Sequence, residues 1–343
     1  MPILTAEKLI IAFHKLSDFI GRPSEEFSAL IESAPNHNAW FKTEEVNKAL
    51  SAIWEMLSVD ALAHWFEQIT VTDTPKRVGL ILAGNIPAVG FHDVLSVLAT
   101  GNTAVIKLSS SDSQLLPALL KQLATYEPLL TERIIYAERL KDFDAIIATG
   151  SNNTSRYFDY YFGKVPNIIR KNRNSIAILD GKETTEEIKL LGHDIFDYYG
   201  MGCRSVSKIY IPEGYEIKNL FEPLESFYGI NNHFKYNNNY DYNKSIYLVN
   251  RVDHFDNGFV LLKEDEGLSS PLAVLYYEKY TTLEELTAKL ETIKDNIQCA
   301  VTHTAIKLGT GVVGFGDSQH PRLWDYADNV NTIQFLGQIN QHG

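Results

Sequence analysis

The chain has 343 residues, of which 45% are hydrophobic and 22% are charged, and its formal net charge at pH 7 is −12. A chain of this length is too long for one small hydrophobic core, so we expect two lobes. The acidic balance argues against a nucleic-acid partner, because binding a phosphate backbone requires a basic surface, whereas an anionic cofactor needs only a few local donors.

The first part of the chain, to about residue 70, is predicted to be helical, because apolar residues recur every three or four positions in "AEKLIIAFHKL" and "VNKALSAIWEMLSVDALAHWF". Its start lacks an early basic region and a small-residue cleavage site, which favours an amphipathic helix over a signal peptide. The longest apolar stretch contains His92 and Asp93, so we expect no transmembrane segment. Only two cysteines, Cys203 and Cys299, and no metal-type spacing suit a reducing, cytoplasmic location.

Strands and helices alternate from about residue 78 onward. The predicted strands are "VGLILAG", "TAVIKLS", "RIIYAE" and "DAIIATGS", and the predicted helices are "FHDVLSVLATG", "SDSQLLPALLKQLATY" and "NTSRYFDYYFG". This alternation is typical of a doubly wound parallel sheet. We therefore assign residues 1–175 to the N-terminal helices and a nucleotide-binding lobe.

The pattern restarts at about residue 176 and predicts a second α/β lobe. Strands are expected at "SIAILDG", "SVSKIYIP", "SIYLVN", "FVLLKE", "LAVLYYE" and "CAVTH", and helices at "TTEEIKLLGHDIFDYYG" and "TLEELTAKLETIKDNI". Residues 231–244, which are rich in asparagine and tyrosine, are predicted to form a surface loop. We assign residues 176–310 to this catalytic lobe and residues 311–343 to a tail that packs back on the body.

Three loops after predicted strands carry candidate cofactor-binding and catalytic residues. They are Asn85 in "AGNIP", Lys107, Ser109 and Ser110 in "IKLSSSD", and Gly150 and Ser151 in "ATGSNNTSR". Doubly wound sheets bind dinucleotides at the carboxyl ends of their strands, and a phosphate fits a helix N-terminus. Each motif also has an ordinary interpretation as a turn or a helix cap, and no G-x-G-x-x-G fingerprint is present.

Cys203 is the candidate nucleophile. It lies in "YYGMGCRSVSKIYIP", where two glycines remove side chains from the approach to the thiol. Arg204 and Lys208 follow it, and positive charge favours a thiolate. Taken alone, the residue is as compatible with a small core side chain as with a catalytic one. Cys299 lies inside an apparent strand and is expected to be buried and inert.

In this order the motifs resemble the aldehyde dehydrogenase superfamily. The stretch "VLATGNTAVIKLSSSD" resembles its "ALAAGNTVVLKPSE" block, "FDAIIATGSNNTSR" resembles its "FTGS" block, and the glycine-flanked cysteine follows about fifty residues later. More narrowly, "GNIPAVGFHDVLSVLATGN" and "HPRLWDYADNVNTIQFL" resemble the LuxC-type acyl-CoA reductases. The superfamily resemblance covers residues 77–212, with a looser continuation to residue 336.

The resemblance implies an α/β, aldehyde-dehydrogenase-like fold, with a doubly wound Rossmann-type cofactor lobe and a second catalytic lobe. It implies that a long-chain acyl-CoA, or another acyl thioester, is reduced to the aldehyde with NADPH or NADH through an acyl-cysteine on Cys203. The Asn85 amide and the Cys203 backbone N–H would bind the oxyanion. An acyl-protein synthetase or acyl-transferase subunit is the type of partner it implies, and an oligomer is compatible with it.

Two alternatives to this reductase stay open. One is an NAD(P)-dependent aldehyde or semialdehyde dehydrogenase on the same fold, and the other is a non-catalytic partner subunit. An assay of the products separates the first from a reductase, whereas the second predicts no cofactor binding and an unreactive Cys203.

Departures from the superfamily pattern refine these expectations. When the blocks are aligned on Ser175, Arg170 stands where many hydrolytic members carry the glutamate that activates water. Arg170 has two interpretations. Its charge could favour the Cys203 thiolate or bind a CoA phosphate, or the side chain could be exposed to solvent at a strand end. Ser110 replaces a glutamate that repels a 2′-phosphate, which favours NADPH. The chain is shorter than typical members, and little of the hairpin that usually builds their oligomers is present.

Overall fold

A computed structural model describes residues 3–150 and 152–341, and the chain divides into two compact units. The first unit holds the described residues up to Asn172, together with His320–Tyr326 and the described residues from Val330 onward. The second unit holds Arg173–Gln319 and Ala327–Asn329. Each unit has its own sheet and its own buried apolar residues.

The first unit begins with the predicted helices. They are α1 (Ala6–Gly21), α2 (Glu25–His37), α3 (Thr43–Met56) and α4 (Val59–Phe66). The Thr5 hydroxyl accepts a hydrogen bond from the Lys8 N–H and caps α1, and Ser24 caps α2 in the same way. Each helix buries one apolar stripe, as the spacing of three and four residues predicts.

A five-stranded parallel sheet forms the centre of the first unit. Its strands are β1 (Arg77–Ile81), β2 (Thr103–Lys107), β3 (Ile134–Tyr136), β4 (Ala145–Thr149) and β5 (Asn167–Arg170). Helices α5 (Phe91–Ala99), α6 (Leu115–Tyr126) and α7 (Asn152–Phe162) follow β1, β2 and β4. The strand order β3-β2-β1-β4-β5 reverses direction at β1, so the predicted doubly wound parallel sheet is confirmed.

A seven-stranded sheet forms the centre of the second unit. Its strands are β6 (Asn174–Ile178), β7 (Val206–Pro212), β8 (Phe255–Asp256), β9 (Leu261–Glu264), β10 (Val274–Tyr280), β11 (Ile297–Val301) and β12 (Gly311–Val313). Helices α8 (Thr185–Phe196), α9 (Ile217–Leu224), α10 (Phe234–Asn250) and α11 (Leu283–Ile293) connect them. The order is β12-β11-β6-β7-β10-β9-β8, and the paired strands are parallel except β8 and β9.

The prediction of a loop at residues 231–244, followed by a strand at "SIYLVN", is wrong. Residues 234–244 and the whole of "SIYLVN" lie in the single helix α10, and residues 231–232 end the preceding 3-10 helix. The His233 ring caps α10 by accepting the Tyr236 N–H. The buried stripe of this helix is made of Tyr236, Tyr240, Asn243 and Tyr247, at helical spacing. Because tyrosine and asparagine replace the usual leucines, the sequence does not present a helical pattern of apolar residues.

The C-terminal segment completes the first unit. The His92 Nε2–H donates to the Leu323 carbonyl at 2.9 Å, and the Trp65 indole N–H donates to the Tyr326 hydroxyl at 3.0 Å. Helix α12 (Thr332–Gln341) follows and contacts α5. Among the described residues, no helix combines the length and the apolar character that crossing a bilayer requires.

Candidate functional site

The candidate cofactor residues of the first unit lie along one edge of its sheet. The parallel register places Ile81, the last residue of β1, opposite Lys107 of β2 and Ala148 of β4. The loops after these three strands therefore leave from the same edge. These loops carry Asn85, Ser109, Ser110 and Gly150. Ser151 lies outside the described residues, and Asn85, Lys107 and Ser110 are exposed.

The loops after β1 and β2 are in direct contact. A Cβ added to Gly84 would lie 2.4 Å from the Ser109 hydroxyl, so a side chain cannot be accommodated there. Ala88 has a φ of 53°, and its N–H donates to the Asp112 carboxylate at 2.7 Å. Asp112 is buried, and this burial raises the pKa of its carboxyl. Asp112 therefore ties the Asn85 loop to the serine loop.

Arg170, at the end of β5, is buried and forms an ion pair with Asp93 of α5. Its second terminal nitrogen donates to the Thr332 hydroxyl at 3.3 Å. The prediction of an exposed position at a strand end is wrong, and the guanidinium faces a carboxylate of its own unit instead. Sequence spacing could not reveal this pair, because 77 residues separate its partners.

Cys203 lies in the second unit, exposed at the tip of a tight turn between α8 and β7. The Ser205 N–H donates to the Gly202 carbonyl at 3.0 Å, and the Gly202 N–H donates to the Ser205 hydroxyl at 3.1 Å. These two bonds fix the peptides on either side of Gly202, the second of which directly precedes Cys203. The bond that closes the turn uses the N–H of Ser205.

The chain approaching this turn is strained. Tyr198 and Tyr199 have φ values of 54° and 58°, and Gly200 follows at 75°. A left-handed backbone costs a side-chain-bearing residue roughly 1–2 kcal/mol. Both tyrosines are buried, and the Tyr199 ring lies 4.4 Å from the ring of His233, so packing holds the strained conformation. Strain of this kind is concentrated at functional sites.

Two buried side chains lie beneath the turn. The Ser175 hydroxyl donates to the Cys203 carbonyl at 2.9 Å and lies 3.1 Å from the Cys299 sulfur. Neither cysteine forms a disulfide, and Cys299 is 1% exposed, so its predicted burial is confirmed. Burial raises the pKa of the Cys299 thiol.

Lys208, the second positive charge that follows Cys203 in the sequence, is buried and paired. Its side chain is fully buried, and its ammonium group contacts Glu278 at 2.7 Å and donates to the Asp265 carbonyl at 2.6 Å. Burial lowers the pKa of Lys208, and Glu278 acts in the opposite direction. Glu278 offsets this charge in the interior, and the effect of Lys208 on the Cys203 thiolate stays a prediction.

One group of described residues brings candidate metal ligands together: Asp180, Glu183 and His303, whose ligand atoms lie within 4.8 Å of one another. The His303 Nδ1–H donates to Glu187 at 3.0 Å, and its Nε2 lies 3.5 Å from Asp180. Although partial burial acts in the opposite direction, Glu187 and Asp180 raise the pKa of His303. An imidazolium among carboxylates accounts for the arrangement, so we assign no metal to it.

Part of the chain matches a known protein family in sequence. Residues 70–225 match the family model of the acyl-CoA reductases (LuxC). The predicted resemblance to that family is confirmed over this segment. A similar curated protein, the long-chain acyl-protein thioester reductase of Aliivibrio fischeri, is 24% identical over 176 residues. The matching region covers 46% of this chain and 37% of the relative, little more than a third of its length.

Solved aldehyde dehydrogenases share the fold. A putative aldehyde dehydrogenase from Burkholderia cenocepacia and aldehyde dehydrogenase 21 from Physcomitrella patens both align with a TM-score of 0.65 at 14% identity, over 97% of this chain and 85% of theirs. A Bacillus cereus aldehyde dehydrogenase solved as an NAD+ complex aligns with a TM-score of 0.61 at 14% identity, over 91% of this chain and 76% of its own. At these identities the likeness shows the fold, and the predicted aldehyde-dehydrogenase-like fold is confirmed.

Proposed function

We propose that the protein is an NAD(P)H-dependent reductase that converts long-chain acyl-CoA, or another acyl thioester, to the aldehyde. The observation that carries the proposal is Cys203, an exposed thiol on a pinned and strained turn, inside the segment that matches the LuxC family. Asn85, Lys107 and Gly150 lie in the same matching segment. The fold is that of solved aldehyde dehydrogenases.

In the proposed reaction, the Cys203 thiolate attacks the acyl carbonyl and the CoA thiolate leaves, so that one thioester is exchanged for another. The reduced nicotinamide, when bound, supplies the hydride that turns the cysteine thioester into a thiohemiacetal. The thiohemiacetal forms as its alkoxide, and cleavage of its carbon–sulfur bond releases the aldehyde and regenerates the Cys203 thiolate. By resemblance, the Asn85 amide and the Cys203 backbone N–H bind the oxyanion formed in each addition.

The edge of the first sheet has the features of a nucleotide site. Gly84 keeps its loop free of a side chain, and Gly150 has the same property, because a Cβ there would lie 2.8 Å from the Phe158 ring. Lys107 and Ser110 are exposed at the end of β2. No carboxylate stands at Ser110 to repel a 2′-phosphate, so we propose that NADPH is accepted at least as well as NADH.

The buried ion pair of Arg170 supports a reductase over a hydrolytic dehydrogenase. The residue that stands at the position of the water-activating glutamate is a guanidinium bound to Asp93, and arginine does not act as a base at physiological pH. An acyl-cysteine therefore persists until hydride reaches it. If the protein oxidises an aldehyde to free acid with NAD(P)+ in the absence of CoA, the alternative of a dehydrogenase on this fold is favoured.

The donor in the cell is a further part of the proposal. The Aliivibrio fischeri relative is a reductase of acyl-protein thioesters. A cysteine nucleophile exchanges with any accessible thioester. We therefore propose that an acylated protein, formed by an acyl-protein synthetase or acyl-transferase, is an acyl donor in addition to acyl-CoA.

Intact-protein mass spectrometry with acyl-CoAs of graded chain length tests the proposal. We expect one acyl adduct on the wild type, none on Cys203→Ala, and an unchanged adduct on Cys299→Ser. Adding NADPH or NADH in separate samples should remove the adduct and produce aldehyde. An adduct that persists in Cys203→Ala, or aldehyde formation without Cys203, contradicts the mechanism.

A further inference from the structure

We propose that Cys299 and Ser175 form a hydrogen-bonded support that positions Cys203, in which the Cys299 thiol donates to the Ser175 hydroxyl and that hydroxyl donates to the Cys203 carbonyl. This inference rests on the proposed role of Cys203 as the nucleophile. It makes Ser175 and Cys299 positioning residues, since both side chains are buried.

The direction of the chain follows from the donors available. A carbonyl only accepts, so the 2.9 Å contact to the Cys203 carbonyl uses the single hydroxyl proton of Ser175. The 3.1 Å contact to Cys299 then requires the thiol to donate, because the hydroxyl has no second proton. Burial of Cys299 raises the pKa of its thiol and keeps this proton in place.

The sheet itself is irregular at both residues. The pairing of β6 with β7 shifts between Ser175 and Ile176, and the pairing of β11 with β6 shifts between Ile297 and Ala300, a span that includes Cys299. Such irregularities re-aim side chains and are frequent beside active sites. In this sheet they bring a hydroxyl and a thiol together under the turn, where a regular ladder would continue.

The support holds one side of Cys203, and Ser205 holds the other. Ser205 fixes the peptide before the thiol through Gly202, and the Gln319 amide donates to the Ser205 hydroxyl at 3.3 Å. Ser175 fixes the peptide after it. With both peptides fixed, the directions of the Cys203 side chain and of its backbone N–H are set before an acyl group arrives, which is the condition for oxyanion stabilisation.

The test compares acylation, which needs an aligned oxyanion donor, with alkylation, which does not. Acylation is followed by stopped-flow release of p-nitrophenolate from p-nitrophenyl acetate and by mass spectrometry with palmitoyl-CoA. Alkylation of Cys203 by iodoacetamide is followed across pH. We expect Ser175→Ala to slow acylation at saturating reagent about tenfold, in keeping with the loss of one buried hydrogen bond, while alkylation changes less than about twofold at each pH.

Three further variants separate positioning from stability. Cys299→Ser keeps a donor and should acylate within about twofold of the wild type, whereas Cys299→Ala should lose about threefold. Ser207→Ala removes another hydroxyl-to-carbonyl bond of the same sheet, from Ser207 to the Leu268 carbonyl at 2.7 Å, and should leave acylation unchanged. Thermal unfolding of each variant shows whether a loss of rate follows a loss of stability.

Each outcome is decisive. If Ser175→Ala is acylated at the wild-type rate, the proposed support is wrong. If Cys299→Ala is acylated at the wild-type rate, the Cys299 thiol is not part of the support. An equal loss of rate in Ser207→Ala would show that the effect is general stability. Acylation by p-nitrophenyl acetate without acylation by palmitoyl-CoA would overturn the proposed substrate but not the support, because the first reagent alone compares the variants. If neither reagent acylates Cys203, the nucleophile and its support both fail.

Discussion

The ion pair between Arg170 and Asp93 allows a direct test of what stabilises the first unit. Both side chains are more than nine-tenths buried, and the pair joins β5 to α5. Replacing Asp93 by asparagine leaves a buried guanidinium without its counter-charge, and breaking a buried pair from one side costs about 3–5 kcal/mol. Native domains have a free energy of unfolding of about 5–15 kcal/mol, so this loss is a large share. We expect Asp93→Asn to lower the urea midpoint, measured by circular dichroism, with the slope unchanged.

The double variant separates charge from packing. Arg170→Met alone should also be costly, because it leaves the Asp93 carboxylate buried and unpaired, but Asp93→Asn with Arg170→Met should recover most of the loss. Lys189→Met provides the surface comparison, since it breaks an exposed pair with Glu186 and should cost no more than about 1 kcal/mol. A cost below about 1 kcal/mol for Asp93→Asn would refute the reasoning.

Three other predictions concern the proposed reaction and the second unit. Asn85→Ala should lower kcat of acyl thioester reduction about 10²–10³-fold with a much smaller change in KM, and an increase in KM at constant kcat would make Asn85 a binding residue. Ser110→Glu should shift the ratio of kcat/KM from NADPH toward NADH, and an unchanged ratio would exclude Ser110 from the ribose site. The raised pKa of His303 means that its stabilising effect is complete below the unfolded pKa of about 6.5 and is lost as pH rises through the folded value. Thermal unfolding of His303→Gln from pH 5 to 9 should therefore differ from the wild type most at low pH, and parallel curves would contradict this.

Arg170→Glu illustrates how the structure changes a sequence-based experiment. From the sequence alone, this substitution would restore the water-activating glutamate of hydrolytic dehydrogenases and produce free fatty acid. In the structure, the new carboxylate would lie buried against Asp93. Two buried carboxylates repel each other, so we expect loss of the folded first unit before any hydrolysis is gained.

The sequence predicted those features that depend on local pattern. Short apolar runs predicted β1, β2, β3 and β4 of the first sheet but not β5, and glycines beside Cys203 indicated an open turn. Helix α10 was not predicted, because its buried stripe consists of tyrosine and asparagine. The long-range contacts were not predicted for another reason. Arg170 meets Asp93, and Ser175 meets Cys299, only after the sheets form, and no spacing along the chain encodes these contacts.

The contact between Gly84 and Ser109 has a consequence for the evolution of cofactor preference. Each residue limits the size of the other, because even a methyl group on Gly84 would overlap the Ser109 hydroxyl. Homologous sequences should therefore vary at these two positions together, with a residue larger than serine at 109 occurring only where the loop after β1 has a different length. Ser110 is exposed and carries no such restriction. Divergence between NADPH-using and NADH-using lineages should accordingly be recorded at position 110 and not at 109.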